Sequence, residues 1–310
     1  MGIPGPHVAL AASPSQPAGV SELRFADPLD GWAFGPALWA THDGGSRWQP
    51  VSLPGAGAGT KVLDLAAAGG RVYALAIDLG PGPGSGRARL YSSPAHGDAW
   101  APVSGVEAST YGGGTIILHG HSAWVLVDPG LSGAHFWRSS GGHALAATPP
   151  PCPGVGGRRP FVAAASSSDL VAACGSQAGT GQEAKTVYTS TDGGQTFAAA
   201  GDAPREGDLE GVAASPSAIV VAAASGASEL YASFDGGRTW QTVVSDTASG
   251  GQPWHDLGFT SATQGIVIEG SPPAARPGAG SGAGSAGSRP SRLLETTDGG
   301  RTWETVTFSR

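Results

Sequence analysis

The chain has 310 residues, 40% of them hydrophobic and only 13% charged, with a formal net charge of −7. A surface that grips nucleic-acid phosphates needs a basic stripe, and this balance argues against one. No apolar run approaches the ~20 residues of a membrane-spanning helix, so neither nucleic acid nor a membrane span is an expected partner.

Glycine (52) and proline (25) are abundant and asparagine is absent. Turns that need a positive φ must therefore rely almost wholly on glycine, which is the composition of many short strands joined by tight turns. The first 19 residues lack both a basic segment and a long apolar stretch, so no signal peptide is expected at this start.

From Glu22 onward the chain repeats itself. "ELRFADPLDGWAF" (22–34) reads strand, tight turn, strand, and "LWATHDGGSRW" (38–48) adds a strand and a glycine turn. The second unit pairs "VLDLAAAGGRVYAL" with "LYSSPAHGDAW", and the third pairs "TIILHGHSAWVLV" with "FWRSSGGHAL". The fourth and fifth begin with "FVAAASSSDLVAA" and "GVAASPSAIVVAA" and end in "TSTDGGQTF" and "SFDGGRTW". The sixth runs from "DLGFTSATQGIVI" to "TTDGGRTW", interrupted by a flexible Gly/Ser/Pro-rich insert at 271–290. Four strands per unit at a period of about 45 residues predict an all-β chain, a β-propeller of four-stranded antiparallel blades. Six blades are expected, over about 20–52, 61–104, 112–148, 158–200, 208–244 and 254–308. A seventh remains open, because "HVALAA" (7–12) is a candidate extra strand.

The recurrent box carries Asp43, Asp192, Asp235 and Asp298, each followed by two glycines and then by Trp48, Phe197, Trp240 or Trp303. A short acid at the start of a turn accepts backbone N–H groups two or three residues on, and the aromatic packs on a neighbouring strand. These residues are therefore predicted to be structural. They match the S/T-x-D-x-G-x-T-W pattern, and the chain resembles the Asp-box (BNR) propellers of sialidases, sortilin-type receptors and some glucanases. The "F-x-D…G-W" element (Phe25, Asp27, Gly31, Trp32) also resembles photosystem II assembly-factor propellers. The resemblance implies the fold over nearly the whole chain. It leaves function open, since the box occurs in enzymes, receptors and scaffolds alike.

A sialidase would need, by that resemblance, an arginine triad, a tyrosine nucleophile with its glutamate, and an aspartate acid/base. "ELRF" has Arg24 without the expected Ile-Pro. Tyr91, Tyr188 and Tyr231 share one repeat column with Trp39 and Trp137 and read as packing. A carboxylate pair of glucanase type has better candidates. Glu22, Glu210 and Asp256 occupy one repeat position at the start of the first strand, where a propeller places its channel mouth. His255, Arg158, Arg159 and Arg205 are expected nearby. Meander parity puts this mouth and the long second-to-third loops on one face and the glycine boxes on the other, so a ligand is expected on the variable-loop face. "HGH" (119–121) is too few ligands for a metal site, and no cofactor is expected.

Cys152 and Cys174, with 21 residues between them, read either as buried thiols or as a disulfide, the disulfide being preferred and implying an oxidising compartment. Fifteen arginines against two lysines, beside the Ala/Gly/Pro richness, read as the imprint of a GC-rich bacterial genome. The preferred reading is a secreted or otherwise extracytoplasmic, monomeric binding scaffold for a protein or glycan. The alternative is a glycoside hydrolase using the channel-mouth acids.

Overall fold

The second strand of each unit is apolar on both faces, as in Ser122–Asp128 (SAWVLVD) and Ala218–Ala224 (AIVVAAA). Such runs suit strands covered on both sides, and both are buried along their length except at the half-buried Asp128. The computed structural model describes residues 16–308, apart from 58, 81–85, 111–112, 129–132, 140–143, 153–159, 177–178 and 271–289. The candidate strand at 7–12 and nearly all of the Gly/Ser/Pro insert thus lie outside the described residues.

The described strands form six four-stranded antiparallel sheets, each a meander built from consecutive strands, arranged as a six-bladed β-propeller. The sheets span 22–50, 60–110, 113–148, 161–203, 208–246 and 254–305 and are called blades 1 to 6. First strands of consecutive blades touch one another and line the axis. Fourth strands, such as Gln49–Pro50 and Glu304–Thr305, are exposed at the rim. Among the described residues the only helix is a single 3-10 turn at Thr247–Ser249, and no helix is long and apolar enough to cross a membrane.

Five hydrophobic clusters fill the spaces between consecutive blades. Trp32, Phe34 and Leu65 lie between blades 1 and 2, Leu75 and Val125 between 2 and 3, and Trp124 and Leu170 between 3 and 4. Val171 and Val221 lie between blades 4 and 5, and Val220 and Val267 between 5 and 6. Among the described residues no cluster joins blade 6 to blade 1, and Leu23 and Phe25 of blade 1 stay 50% and 42% exposed. Among the described residues the seam is therefore the least apolar junction of the ring.

The glycine turns follow one hydrogen-bond scheme. Asp192 Oδ1 accepts the N–H groups of Gln195 (2.9 Å) and Thr196 (3.0 Å), and its Oδ2 accepts the Thr196 hydroxyl (2.6 Å). Ser190 Oγ donates to Asp192 Oδ1 (2.8 Å) and accepts from Gly194 N (2.9 Å). Asp235 and Asp298 repeat the scheme, with Ser233 and Thr296 as the hydroxyls. The Thr239 and Thr302 hydroxyl and backbone hydrogen bonds hold these two carboxyls down at about 2. Both glycines of the Asp192 turn have positive φ, 72° and 84°, a region that costs a residue with a Cβ. The turn also docks on its own blade, Gly193 N donating to Ser168 O at 2.9 Å.

Cys152, between blades 3 and 4, is bonded to Cys174 in the second strand of blade 4, with the Cα atoms 5.9 Å apart. Closing a loop of this length stabilises by about 3 kcal/mol in the chain-entropy model. Urea unfolding of the Cys152→Ser/Cys174→Ser double variant is expected to show that loss against wild type. An unchanged midpoint would mean that the bond constrains nothing the fold does not already fix.

Candidate functional site

Glu22 and Arg24 stand two apart on the strand Glu22–Phe25, so the pleat puts both on one face. Arg24 Nη2 lies 3.4 Å from Glu22 Oε2 and 3.4 Å from Asp256 Oδ1, on the first strand of blade 6. One guanidinium thereby ties the first blade to the last. Its Nη1 donates to the Leu23 carbonyl at 2.9 Å, and its carbon lies 5.8 Å from the centre of the Phe34 ring. The group remains 40% exposed, so it still presents donors to solvent.

Beside it, His255 Nδ1 is 2.8 Å from Asp256 Oδ2. A carboxylate facing Nδ1 favours the tautomer with its proton there and leaves Nε2 with a lone pair in place of a proton. The His255 side chain is only 10% exposed, and its buried Nε2 has no hydrogen-bond partner. The backbone explains the placement. The strand Trp254–Phe259 slips register between His255 and Gly258, and Asp256 has φ 53°. A bulge of this kind re-aims side chains, and a non-glycine residue held there costs on the order of 1–3 kcal/mol.

Of the residues singled out in the sequence, Glu22, His255 and Asp256 are brought together, with Arg24 as the member that sequence reasoning passed over. The alternation of Glu22 and Arg24 was the available signal. Glu210 sits at a second register shift, between Leu209 and Gly211 at the opening of blade 5. Arg205 precedes that strand, and its carbonyl accepts Glu183 N at 2.8 Å. Arg158 and Arg159 lie outside the described residues.

A further polar group missed by the sequence pins the opening of blade 5. Lys185 is fully buried, and its Nζ donates to the carbonyls of Glu183 (3.3 Å), Pro204 (3.0 Å) and Glu206 (3.0 Å). Burial lowers its pKa, although Glu183, Glu206, Asp208 and Glu229 pull the other way. Glu183 Oε2 accepts Leu209 N at 2.6 Å, so the loop before Lys185 is stitched to the next blade. All three ammonium protons have carbonyl acceptors, which leaves Lys185 no lone pair or proton to offer a substrate. Its role is architectural.

Together, the six meandering sheets define a β-propeller, and solved structures share that fold. The structure of YCF48 bound to D1 peptide superposes with a TM-score of 0.57 at 17% identity, over 95% of this chain and 82% of that one. YCF48 from Cyanidioschyzon merolae gives 0.55 at 13%, over 94% and 86%. Trypanosoma rangeli sialidase gives 0.50 at 14%, over 81% of this chain but only 48% of its own. At such identities the likeness is one of fold. No protein-family model matches the chain, and no curated protein matches it in sequence.

Proposed function

We propose that this protein is a non-enzymatic, extracytoplasmic binding or scaffold propeller whose partner docks at the variable-loop end of the channel, over Glu22, Arg24, His255 and Asp256. His255 carries the reading. It is an imidazole nine-tenths buried, oriented by Asp256, whose Nε2 is left without a donor. An unmet buried acceptor costs on the order of 1–3 kcal/mol, in addition to the left-handed backbone beside it. Nε2 is closed off from solvent, so a ligand N–H or O–H would remove the first cost only once the His255 ring turns toward the channel mouth, while the part-exposed Arg24 offers donors to a ligand carbonyl or hydroxyl. A group alternating donors and acceptors, such as an extended peptide or a glycan, suits that pair. That one structural relative is bound to a peptide makes peptides the first class to test. The disulfide supports an oxidising location.

The glycosidase alternative needs two carboxylates flanking room for a sugar oxygen and a water. The Arg24 guanidinium contacts both Glu22 and Asp256 and fills that room, which weighs toward binding. Peptide and glycan arrays, run beside a fluorogenic glycosidase panel, test the proposal. Specific binding weakened at least tenfold in His255→Ala and in the part-exposed Arg24→Ala, each shown by circular dichroism to be folded, is the expected result. Turnover abolished by Glu22→Gln or Asp256→Asn would overturn it, as would binding indifferent to both His255→Ala and Arg24→Ala.

A further inference from the structure

On the opposite face, where the glycine turns lie, three turns from two blades converge. Asp27 and Asp30 come from the first-to-second turn of blade 1 and His42 from its third-to-fourth turn. His96 and Asp98 come from the third-to-fourth turn of blade 2. That last turn is the copy that has lost the Asp-Gly-Gly box, and "AHGD" stands there instead. His42 stands where blades 4, 5 and 6 have Thr191, Phe234 and Thr297.

Each of the two carboxylates nearest His96 has one oxygen tied back and the other presented. Asp27 Oδ1 accepts the N–H groups of Leu29 (2.8 Å) and Asp30 (3.0 Å), leaving Oδ2 at 3.7 Å from His96 Nδ1. Asp30 Oδ1 is 2.5 Å from His42 Nδ1, leaving Oδ2 at 2.5 Å from His96 Nδ1. His42 is steadied in turn by Asp98 Oδ2, 3.2 Å from its Nε2. A neutral imidazole has one N–H and one lone pair, so His42, with a carboxylate at each nitrogen, is an imidazolium here. Burial opposes that charge, but the hydrogen bonds to Asp30 and Asp98 outweigh it and raise the His42 pKa.

We propose that Asp27 Oδ2, Asp30 Oδ2 and His96 Nδ1 form a binding site for a first-row divalent cation such as zinc, with His42 and Asp98 holding Asp30 from behind. The three ligand atoms lie within 4.8 Å of one another. Bonds of 2.0–2.2 Å in a tetrahedral site separate ligand atoms by about 3.3 Å. The Asp30–His96 pair must open and the Asp27–His96 pair close, each by less than about 1 Å, and the Asp27–Asp30 pair, within 4.8 Å, must change by at most about 1.5 Å, all within reach of side-chain rotation. Imidazole with carboxylate oxygen suits zinc and its neighbours over magnesium or calcium. His96 is 74% exposed while the Asp30 side chain is 7% exposed, which gives an entry path, water for the open positions and one buried anchor. A cation and protons compete for the same ligand atoms, so binding weakens as the pH falls. Anchored outer partners of this kind orient metal ligands in general.

The test is calorimetric titration of the whole protein with zinc chloride at pH 7.5 and 5.5, and the visible spectrum with cobalt(II). One equivalent is expected to bind at pH 7.5, at least tenfold more weakly at pH 5.5. His96→Ala and Asp27→Asn, both at exposed or half-exposed positions, should each weaken binding at least tenfold and abolish the cobalt spectrum. His119→Ala/His121→Ala should leave both unchanged. No saturable uptake, or uptake insensitive to His96→Ala, overturns the proposal, and circular dichroism confirms that each variant is folded.

Discussion

Replacing Lys185 with methionine is expected to destabilise the propeller by about 3 kcal/mol, lowering its melting temperature by about 5 °C. Methionine nearly conserves the volume and keeps the site apolar, so the loss isolates the ammonium. Its three protons satisfy the carbonyls of Glu183, Pro204 and Glu206, which methionine leaves without a donor. It is also the cation among Glu183, Glu206, Asp208 and Glu229, and Glu183 is itself 1% exposed. Breaking one side of a buried charged group is costly because the other side stays buried. Lys61→Met, at the chain's other lysine, should change stability by less than about 0.5 kcal/mol. Scanning calorimetry separates the two. Equal melting temperatures for wild type and Lys185→Met would mean that water or rearranged backbone serves those carbonyls, and the pinning argument would fail.

The six-bladed architecture was legible because its signals are local. An acid, two glycines and an aromatic specify a turn within eight residues, and the two-faced apolar second strands mark what lies between blades. What escaped the sequence is contact between distant units. Arg24 meets Asp256 across 232 residues, and reading "ELRF" for an absent motif hid that it alternates with Glu22. Lys185 stands at the end of a second-to-third loop, and nothing in "GQEAK" shows that three carbonyls surround it. Asp256 gave no warning of its positive φ, since left-handed backbone was expected only at glycine. The turn cluster was the hardest to see. Asp27, Asp30, His42 and His96 belong to three turns, and the repeat alignment files them in different columns. The one available signal was negative: "AHGD" departs from the box, and a departure reads as decay until the fold sets it against blade 1. The apolar shortfall at the seam was invisible for the same reason, because Leu23 and Phe25 look in sequence like any other strand residues.

Trp124→Ala is expected to cost about 4 kcal/mol, within the range for truncating a buried aromatic, and to lower the melting temperature by about 6 °C. Trp124 is wholly buried in the second strand of blade 3 and packs in the cluster that joins blade 3 to blade 4. It also reaches into the next blade, Nε1 donating to the Gly193 carbonyl of the blade 4 glycine turn at 2.9 Å. A Cβ on Gly194 would stand 3.3 Å from that same Nε1 and from Phe136 Cε1, so the turn sits hard against the ring. Phe136 in turn meets Phe197, the aromatic of that box, edge-on with centroids 6.1 Å apart. Packing and the hydrogen bond can be separated. Trp124→Phe keeps most of the ring contact but drops the N–H, so it should cost about 1–2 kcal/mol. The difference between the two variants measures how far one blade's core holds the neighbouring blade's turn in place. If Trp124→Phe costs as much as Trp124→Ala, the hydrogen bond to Gly193 dominates and the turns are tied to adjacent blades chiefly by polar contacts. If both cost little, the glycine turn stands on its own Asp192 scheme and the blades are coupled elsewhere. The expected ordering places inter-blade packing first, which is also why the seam between blades 6 and 1, which has no such cluster among the described residues, is where the ring is expected to open first under denaturant.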